Sequence, residues 1–376
     1  MSWEKGMKNA YRADHVGSLL RPSRLLEARR ERRKGRLSSE ALATIEDEAI
    51  LAVLALQREA GIDVVSDGEF RRSSWLGGFL EAAEGFVVPE SAPRSAATVW
   101  QGGGAEVANE GMPSLPVIGG KLKVGGRFTE RESAFLAKHA DRPFKLTLPS
   151  PTMVLVFYRE GISDKAYPDR QELIDDVVTI YAREIEALAS AGVPYIQIDS
   201  LRYTDLIDPE RREKLEPLGL ERVLAQALAA DNALLARAKR EGTTRAVHIC
   251  RGNHRSAWFG RGGYEAVAER LFNELDTDRF LLEFDDERSG GFAPLRFVPG
   301  GKIVVLGLVT TKSAALESQD ELLRRIDEAS KYLPLDRLAL GPQCGFASTE
   351  LGNLLDEDDE KRKLELVAGT ARRAWG

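Results

Sequence analysis

The sequence predicts an α/β fold: a single (β/α)8 TIM barrel with a long insertion after its second strand. Three observations lead there. Short β-branched or apolar runs alternate with longer amphipathic stretches rich in Ala, Leu, Glu and Arg, the pattern of consecutive βαβ units. Eight such runs are present, near residues 11–16, 62–66, 144–149, 194–199, 245–250, 279–284, 302–307 and 336–341. Eight strand–helix repeats suit a closed barrel, and no Gly-rich phosphate fingerprint follows the first run, which places a doubly wound open sheet second.

The helices between the runs have readable ends. Ser39 to Ala60 stops at Gly61, and Arg170 to Ala191 stops at Gly192, the residue that most easily adopts the left-handed C-terminal turn. Leu218 to Lys239, Gly263 to Leu275 and Glu317 to Tyr332 follow the same pattern. The rhythm breaks over about residues 70–143, where Gly102-Gly103-Gly104, Gly119-Gly120 and Gly125-Gly126 surround short alternating runs such as Lys121-Leu122-Lys123-Val124. That pattern predicts a β-hairpin excursion followed by a helix from Thr129 to His139, with Thr129 and Glu132 as its capping box. An insertion of this length is a functional loop or a subunit contact, so a homodimer is compatible with it. The acidic stretch Asp356 to Glu360 reads as a solvated loop opening the last helix. Residues 1–376 are read as one catalytic domain, with the insertion at about 70–143.

Composition narrows the class. A chain of 376 residues with 43% hydrophobic and 30% charged residues can bury a large core and has the balance of an ordinary soluble globular protein. A formal charge of −6 argues against nucleic acid or an anionic membrane as partner. No apolar run approaches the ~20 residues that cross a bilayer, and Met1-Ser2-Trp3-Glu4-Lys5-Gly6 has no signal-peptide core. The 2 cysteines fit a reducing compartment. A cytoplasmic enzyme is the expectation.

Barrel chemistry gathers at the carboxyl ends of the strands, and the polar residues after the apolar runs fit that rule. His248 and Cys250 are two apart on one run, so both side chains share a face. With Glu283 and Cys344 from later runs, they suit a soft or borderline tetrahedral cation such as Zn2+. The competing reading makes His248 an internal barrel residue and the cysteines small core hydrophobes. Glu69 and Asp199 closely follow apolar runs and face the barrel mouth, placed either to hold a substrate amine or to pair internally with Arg71, Arg72 or Arg202. Gly17-Ser18 offers a backbone amide and a hydroxyl to a carboxylate. Trp75, Phe79 and the Gly-rich hairpins of the insertion are expected to shape a pocket for a second substrate.

With these residues laid out, the chain resembles the catalytic C-terminal barrel of cobalamin-independent methionine synthases, and most closely the stand-alone single-barrel members. The resemblance runs from Arg12-Ala13-Asp14-His15-Val16-Gly17-Ser18 to the Cys344 loop; His248-x-Cys250, then Glu283, then Cys344 is its most specific element. It implies a zinc-dependent thiol S-methyltransferase in which His248, Cys250, Glu283 and Cys344 hold zinc. Gly17 and Ser18 take the homocysteine carboxylate, Glu69 and Asp199 take its amine, and the product is methionine. Two positions depart from the family pattern. Asp199 is followed by Ser200-Leu201 rather than Glu-Pro, and Thr310-Thr311-Lys312 stands where a histidine proton donor follows the seventh run. Lys312 and His254 are the alternative general acids. The chain also has no counterpart of the family's folate-binding N-terminal barrel, so the methyl donor stays open among methyl-folate, a methyl-corrinoid and other methylated compounds. A related class, epoxyalkane:coenzyme M transferases, is the alternative. Both Glu69 and Asp199 favour an amino-acid thiol over a sulfonate thiol.

Overall fold

The computed structural model describes residues 11–88, 100–106 and 115–376. Its centre is a parallel sheet of β3 (Lys145–Pro149), β4 (Tyr195–Ser200), β5 (Thr244–Ile249), β6 (Arg279–Glu283), β7 (Ile303–Val309) and β8 (Leu338–Pro342), hydrogen-bonded in chain order. Every residue of these strands is buried, as expected where helices cover a parallel sheet and strands read as continuous apolar runs. Six of the eight expected runs are therefore strands, within a few residues of the expected bounds.

The first two runs differ. Each contributes a single parallel bridge, Ala13 to Leu340 on β8 and Val65 to Phe144 just before β3. The Asp63 carboxylate explains the shortened ladder: its Oδ2 accepts the backbone N–H of Arg12 at 2.6 Å and of Ala13 at 2.9 Å. Asp63 N–H in turn donates to Ala13 O at 3.0 Å, and Asp14 N–H to Leu340 O at 2.9 Å. The two runs thus connect to each other and to both edges of the sheet.

Helix ends follow their sequence signals. Ser38 Oγ accepts Ala41 N–H at 3.1 Å to start Ser39–Ala60, which ends at Gly61 with φ 87°. Asp169 Oδ1 accepts Gln171 N–H at 2.8 Å to start Arg170–Ser190. The stretch expected as one helix from Gly263 splits into a 3-10 turn, Tyr264–Ala266, and a short helix, Ala268–Glu274. The turn carries the Tyr264 hydroxyl to the end of β6, where it accepts Glu283 N–H at 2.9 Å. The helix Ser23–Arg33 has no counterpart in the sequence reading.

In the insertion, β1 (Ala83–Val87) and β2 (Val117–Val124) form an antiparallel pair, and Glu130–His139 is helical. The expected capping box is not formed. Thr129 donates its hydroxyl to Glu184, and Glu132 instead takes Arg72 through two contacts of 2.8 Å. Thr129 is thus tied to the helix Arg170–Ser190 through Glu184, and Glu132 to the sheet through Arg72, whose Nη1 donates to Thr147 O on β3 at 3.0 Å. Phe79 is buried edge-on against Tyr181, centroids 4.9 Å apart, and does not line the pocket expected of it. The acidic stretch also needs correction. Asp356 and Asp359 do cap Glu357–Trp375, but Glu360 is buried and accepts Leu20 N–H at 2.8 Å. No helix among the described residues is long and apolar enough to cross a membrane.

Candidate metal and substrate site

Four of the residues expected at the strand ends converge. One ligand atom each from His248, Cys250, Glu283 and Cys344 lies within 4.8 Å of every other. The two sulfurs are 3.5 Å apart and unbridged. His248 is held by Nδ1 against Leu281 O at 3.2 Å, which leaves Nε2 buried with no conventional hydrogen-bond partner. Such a backbone anchor on one ring nitrogen is how proteins aim the other at a metal. Glu283 is likewise oriented: Oε1 accepts Arg251 N–H at 2.6 Å, and Oε2 lies 3.2 Å from the Arg288 guanidinium. Burial alone would depress the His248 imidazole, yet the sulfur of Cys344 raises it to about 9. Cys344 is driven well below the usual thiol range by the hydrogen bond from Cys250, whose own thiol is driven up by the same contact and by burial. Two sulfurs, one imidazole nitrogen and one anchored carboxylate form a donor set that fits zinc once the protons on Cys250 and His248 are released to it.

The carboxylates expected to hold an amine face the same cavity, with Ser18. Asp199 sits directly across the β4–β5 ladder from His248 and accepts Gln197 Nε2–H at 2.8 Å. Burial pushes its carboxyl up to about 7. Gln197 is set by Lys145, which is fully buried and bonds Asp14 Oδ1 at 2.6 Å and Gln197 Oε1 at 2.9 Å. Glu69 has φ 61°, rare for a residue with a Cβ, stabilised where Asp67 Oδ1 accepts its N–H at 2.9 Å. Its Oε1 accepts Thr147 Oγ1–H at 2.7 Å, while Oε2 is buried without a partner. The internal-pair alternative is realised only loosely: Arg72 stands 3.8 Å from Glu69, whereas Arg202 pairs with Asp205. Gly17, at φ 130°, lies behind Ser18; a Cβ there would stand 2.8 Å from Thr147 Cγ2. A Cβ at Gly345 would stand 1.9 Å from Ser18 Oγ, so the Cys344 loop and Ser18 are in close contact.

The two expected acids lie a layer back. Lys312 donates to Gly252 O at 3.3 Å and Asn253 Oδ1 at 3.0 Å, and Asn253 Nδ2–H continues to Gly345 O at 2.6 Å. His254 lies against Trp100, centroids 5.3 Å apart, with Nδ1 3.4 Å from Thr349 Oγ1; burial lowers its pKa. Neither lines the cavity, whose remaining walls include Trp75, Trp100, Leu201, Asn253 and Phe259. The sequence reading did not single out Gln197, Lys145, Asn253, Tyr264, Arg288 or Trp100. Gln197, two residues before Asp199 on one strand face, is the one that strand period could have shown.

Fold and site together define a class: a parallel-sheet α/β protein with a soft-metal donor set and two buried carboxylates at its strand ends. Residues 13–355 match the family model described as the cobalamin-independent synthase catalytic domain, and the chain belongs to that family. It is 39% identical over 379 residues to YxjH of Bacillus subtilis (strain 168), covering 99% of this chain and 97% of that one. It is 27% identical to a 5-methyltetrahydropteroyltriglutamate–homocysteine methyltransferase of Bacillus licheniformis, over 89% of this chain but 40% of that enzyme. Among solved structures, a putative vitamin-B12 independent methionine synthase from Listeria monocytogenes superposes with TM-score 0.72 at 30% identity, covering 97% of this chain and 98% of that one. The family supports a methyltransferase enzyme on an α/β fold.

Proposed function

We propose that this chain is a zinc-dependent thiol S-methyltransferase with homocysteine as acceptor and methionine as product, acting as one catalytic unit on a closed (β/α)8 barrel. The hydrogen bonds joining the first two runs to β3 and β8 support the closure. The observation that carries the function is the convergence of His248, Cys250, Glu283 and Cys344, three of which, His248, Cys250 and Cys344, share one cavity with Glu69 and Asp199. Zinc in that ligand set would supply the charge that keeps an incoming thiol ionised at neutral pH, where a free thiol of pKa ~8.5 is mostly protonated.

The chain's own groups do the rest. Glu69 Oε2, buried without a partner, and Asp199 take the ammonium group of the acceptor by charge-assisted hydrogen bonds. The Ser18 hydroxyl, with Gly17 setting its backbone, takes the carboxylate. Two-ended capture aims the thiol at the metal-ligand cluster and excludes water from it. Of the four residues that would hold zinc, Glu283 would be the most weakly committed donor, because Arg251 N–H and Arg288 already satisfy its charge. Lys312 acts as a positioning residue, fixing Asn253 and through it the loop that carries Cys344.

Calorimetric titration of the zinc-loaded protein with L-homocysteine in two buffers of different ionisation enthalpy tests the reading. Binding with release of about one proton is expected. Absence of binding to zinc-loaded protein eliminates homocysteine and moves the acceptor to another thiol, coenzyme M first. Cys344→Ser is expected to lose zinc and turnover together, and zinc-replete, fully active Cys344→Ser enzyme would refute the metal assignment.

A further inference from the structure

We propose that residues 100–106 form a strap that docks on the loop beyond β5 and sets Trp100 as the cover of the cavity, narrowing its mouth to the width of a small thiol. Gly102 and Gly104 are the residues that let the strap dock. Its effect on the acceptor rests on the homocysteine reading above; the closure itself does not.

The platform for the strap is a tight turn over residues 254–257. His254 N–H donates to Ala257 O at 3.1 Å, and Ala257 N–H to His254 O at 2.9 Å. Arg255 and Ser256 have φ 48° and 66°, a left-handed backbone that residues with a Cβ keep only where their surroundings impose it. The surroundings do so here. Ser256 N–H donates to Asn353 Oδ1 and Leu354 N–H to Ser256 Oγ, each at 2.9 Å. Asn353 Nδ2–H continues to Thr311 O, just after β7, at 2.8 Å. Trp258, next along the chain, has the Arg288 guanidinium 5.2 Å from its ring, and Arg288 also stands 3.2 Å from Glu283 Oε2 at the end of β6. The turn is thus fixed to two strand ends of the sheet.

The strap joins this platform as a short antiparallel bridge. Gln101 N–H donates to Trp258 O at 2.7 Å, and Trp258 N–H to Gln101 O at 3.0 Å. Beyond the bridge the chains approach too closely for a side chain. A Cβ on Gly104 would stand 1.8 Å from Arg255 O and 3.0 Å from Ala257 N. At Gly102, where φ is 88°, it would stand 2.7 Å from Trp258 Nε1. Gly103 between them has nothing within 4 Å. Contact therefore demands glycine at the outer two positions and leaves the middle one free. The docked strap places Trp100 in the cavity wall with Cys250 and Cys344, its ring 5.5 Å from Phe259 and 5.3 Å from His254, centroid to centroid. Behind it Cys344 is 2% exposed and Cys250 partly so. A wide, rigid indole held at that place limits what reaches the sulfurs.

The chain has 2 cysteines, and both line this cavity, so thiol labelling of the metal-free full-length chain reports on it alone. Two neutral reagents of different width, N-ethylmaleimide and N-(1-pyrenyl)maleimide, are compared, with free glutathione as the open thiol. Relative to glutathione, the wild type should disfavour the wide reagent by about tenfold or more. Trp100→Ala and Gly104→Ala should abolish most of that discrimination, whereas Trp100→Phe and Gly103→Ala should keep it. Discrimination unchanged in Trp100→Ala, or lost in Gly103→Ala as fully as in Gly104→Ala, would overturn the proposal. Urea midpoints identify any variant that is destabilised as a whole. Should Gly104→Ala be one, Trp100→Ala against Trp100→Phe decides, since both only remove atoms. With zinc-loaded protein, Trp100→Ala should raise the homocysteine Kd about tenfold. Equal affinity in Trp100→Ala and wild type overturns the strap's part in acceptor binding. No binding to wild type defeats the acceptor reading and leaves the labelling result standing.

Discussion

Replacing Glu132 with Ala should damage both the insertion and the acceptor pocket, although Glu132 does not line that pocket. Its carboxylate takes Arg72 through Nε and Nη2, each at 2.8 Å, and the two side chains are 5% and 4% exposed. Removing one partner of such a pair strands a buried charge, at about 3–5 kcal/mol. Among the carboxylates near the freed guanidinium is Glu69, with Oε1 at 3.8 Å, and closing that gap would neutralise the group proposed to receive the substrate ammonium. Losing a charge-assisted hydrogen bond of about 1.5–3 kcal/mol corresponds to a roughly 10–100-fold rise in the homocysteine Kd. Urea denaturation and calorimetry on Glu132→Ala, Arg72→Met and the double variant Arg72→Met/Glu132→Leu measure both effects. The double variant should recover most of the stability, since an apolar pair of similar volume replaces the charges. A loss below about 1 kcal/mol in Glu132→Ala, with homocysteine affinity unchanged, would refute this account of how the insertion is coupled to the site.

Three further outcomes are expected. Gly345→Ala places a Cβ 1.9 Å from Ser18 Oγ and 3.2 Å from Ser18 O, so it should displace the Cys344 loop and lower zinc affinity at least tenfold; adding Ser18→Ala should relieve only part of this, because the backbone oxygen remains. Wild-type zinc retention in Gly345→Ala would contradict it. Lys312→Met should lower kcat/KM by about 10–100-fold, the usual effect of losing a group that orients ligands, without moving the pH–rate profile, whereas loss of one limb of the profile would make Lys312 the acid. Glu360→Gln should stabilise the protein at alkaline pH. Burial pushes the Glu360 carboxyl up to about 8 from an ordinary 4.5, so folding holds a proton that the unfolded chain releases between those values. The resulting penalty grows as pH rises through that window and is complete above it. Urea midpoints at pH 5 and pH 8 should therefore differ less in Glu360→Gln than in wild type, and an unchanged difference would exclude Glu360 as its source.

Much of the fold was legible because its signals are local. Strand runs such as Tyr195–Ser200 and Ile303–Val309 are bounded by glycines and amphipathic stretches, and Gly61 and Gly192 stop helices where the chain needs positive φ. The convergence of four side chains was also legible, because a two-residue spacing on a strand puts His248 and Cys250 on one face, and Glu283 and Cys344 follow at strand ends. The capping box at Thr129 failed for the complementary reason: the local pattern was present, but Glu184 and Arg72 took both side chains. Glu360 looked solvated because its neighbours are acidic, yet Leu20, 340 residues away, supplies the N–H that holds it inside.

By itself, then, the sequence determined the order of strands and helices and which residue types stand at the strand ends, since period and stop signals act over a few residues. Only the tertiary structure decided where those side chains lead. It drew Lys312 and His254 away from the cavity and left Nε2 of His248 and Oε2 of Glu69 unpartnered inside the protein. It also brought Trp100 from the insertion against Phe259 beyond β5. Hydrogen bonds and burial in a packed interior depend on what arrives from distant parts of the chain, and no local pattern carries that information.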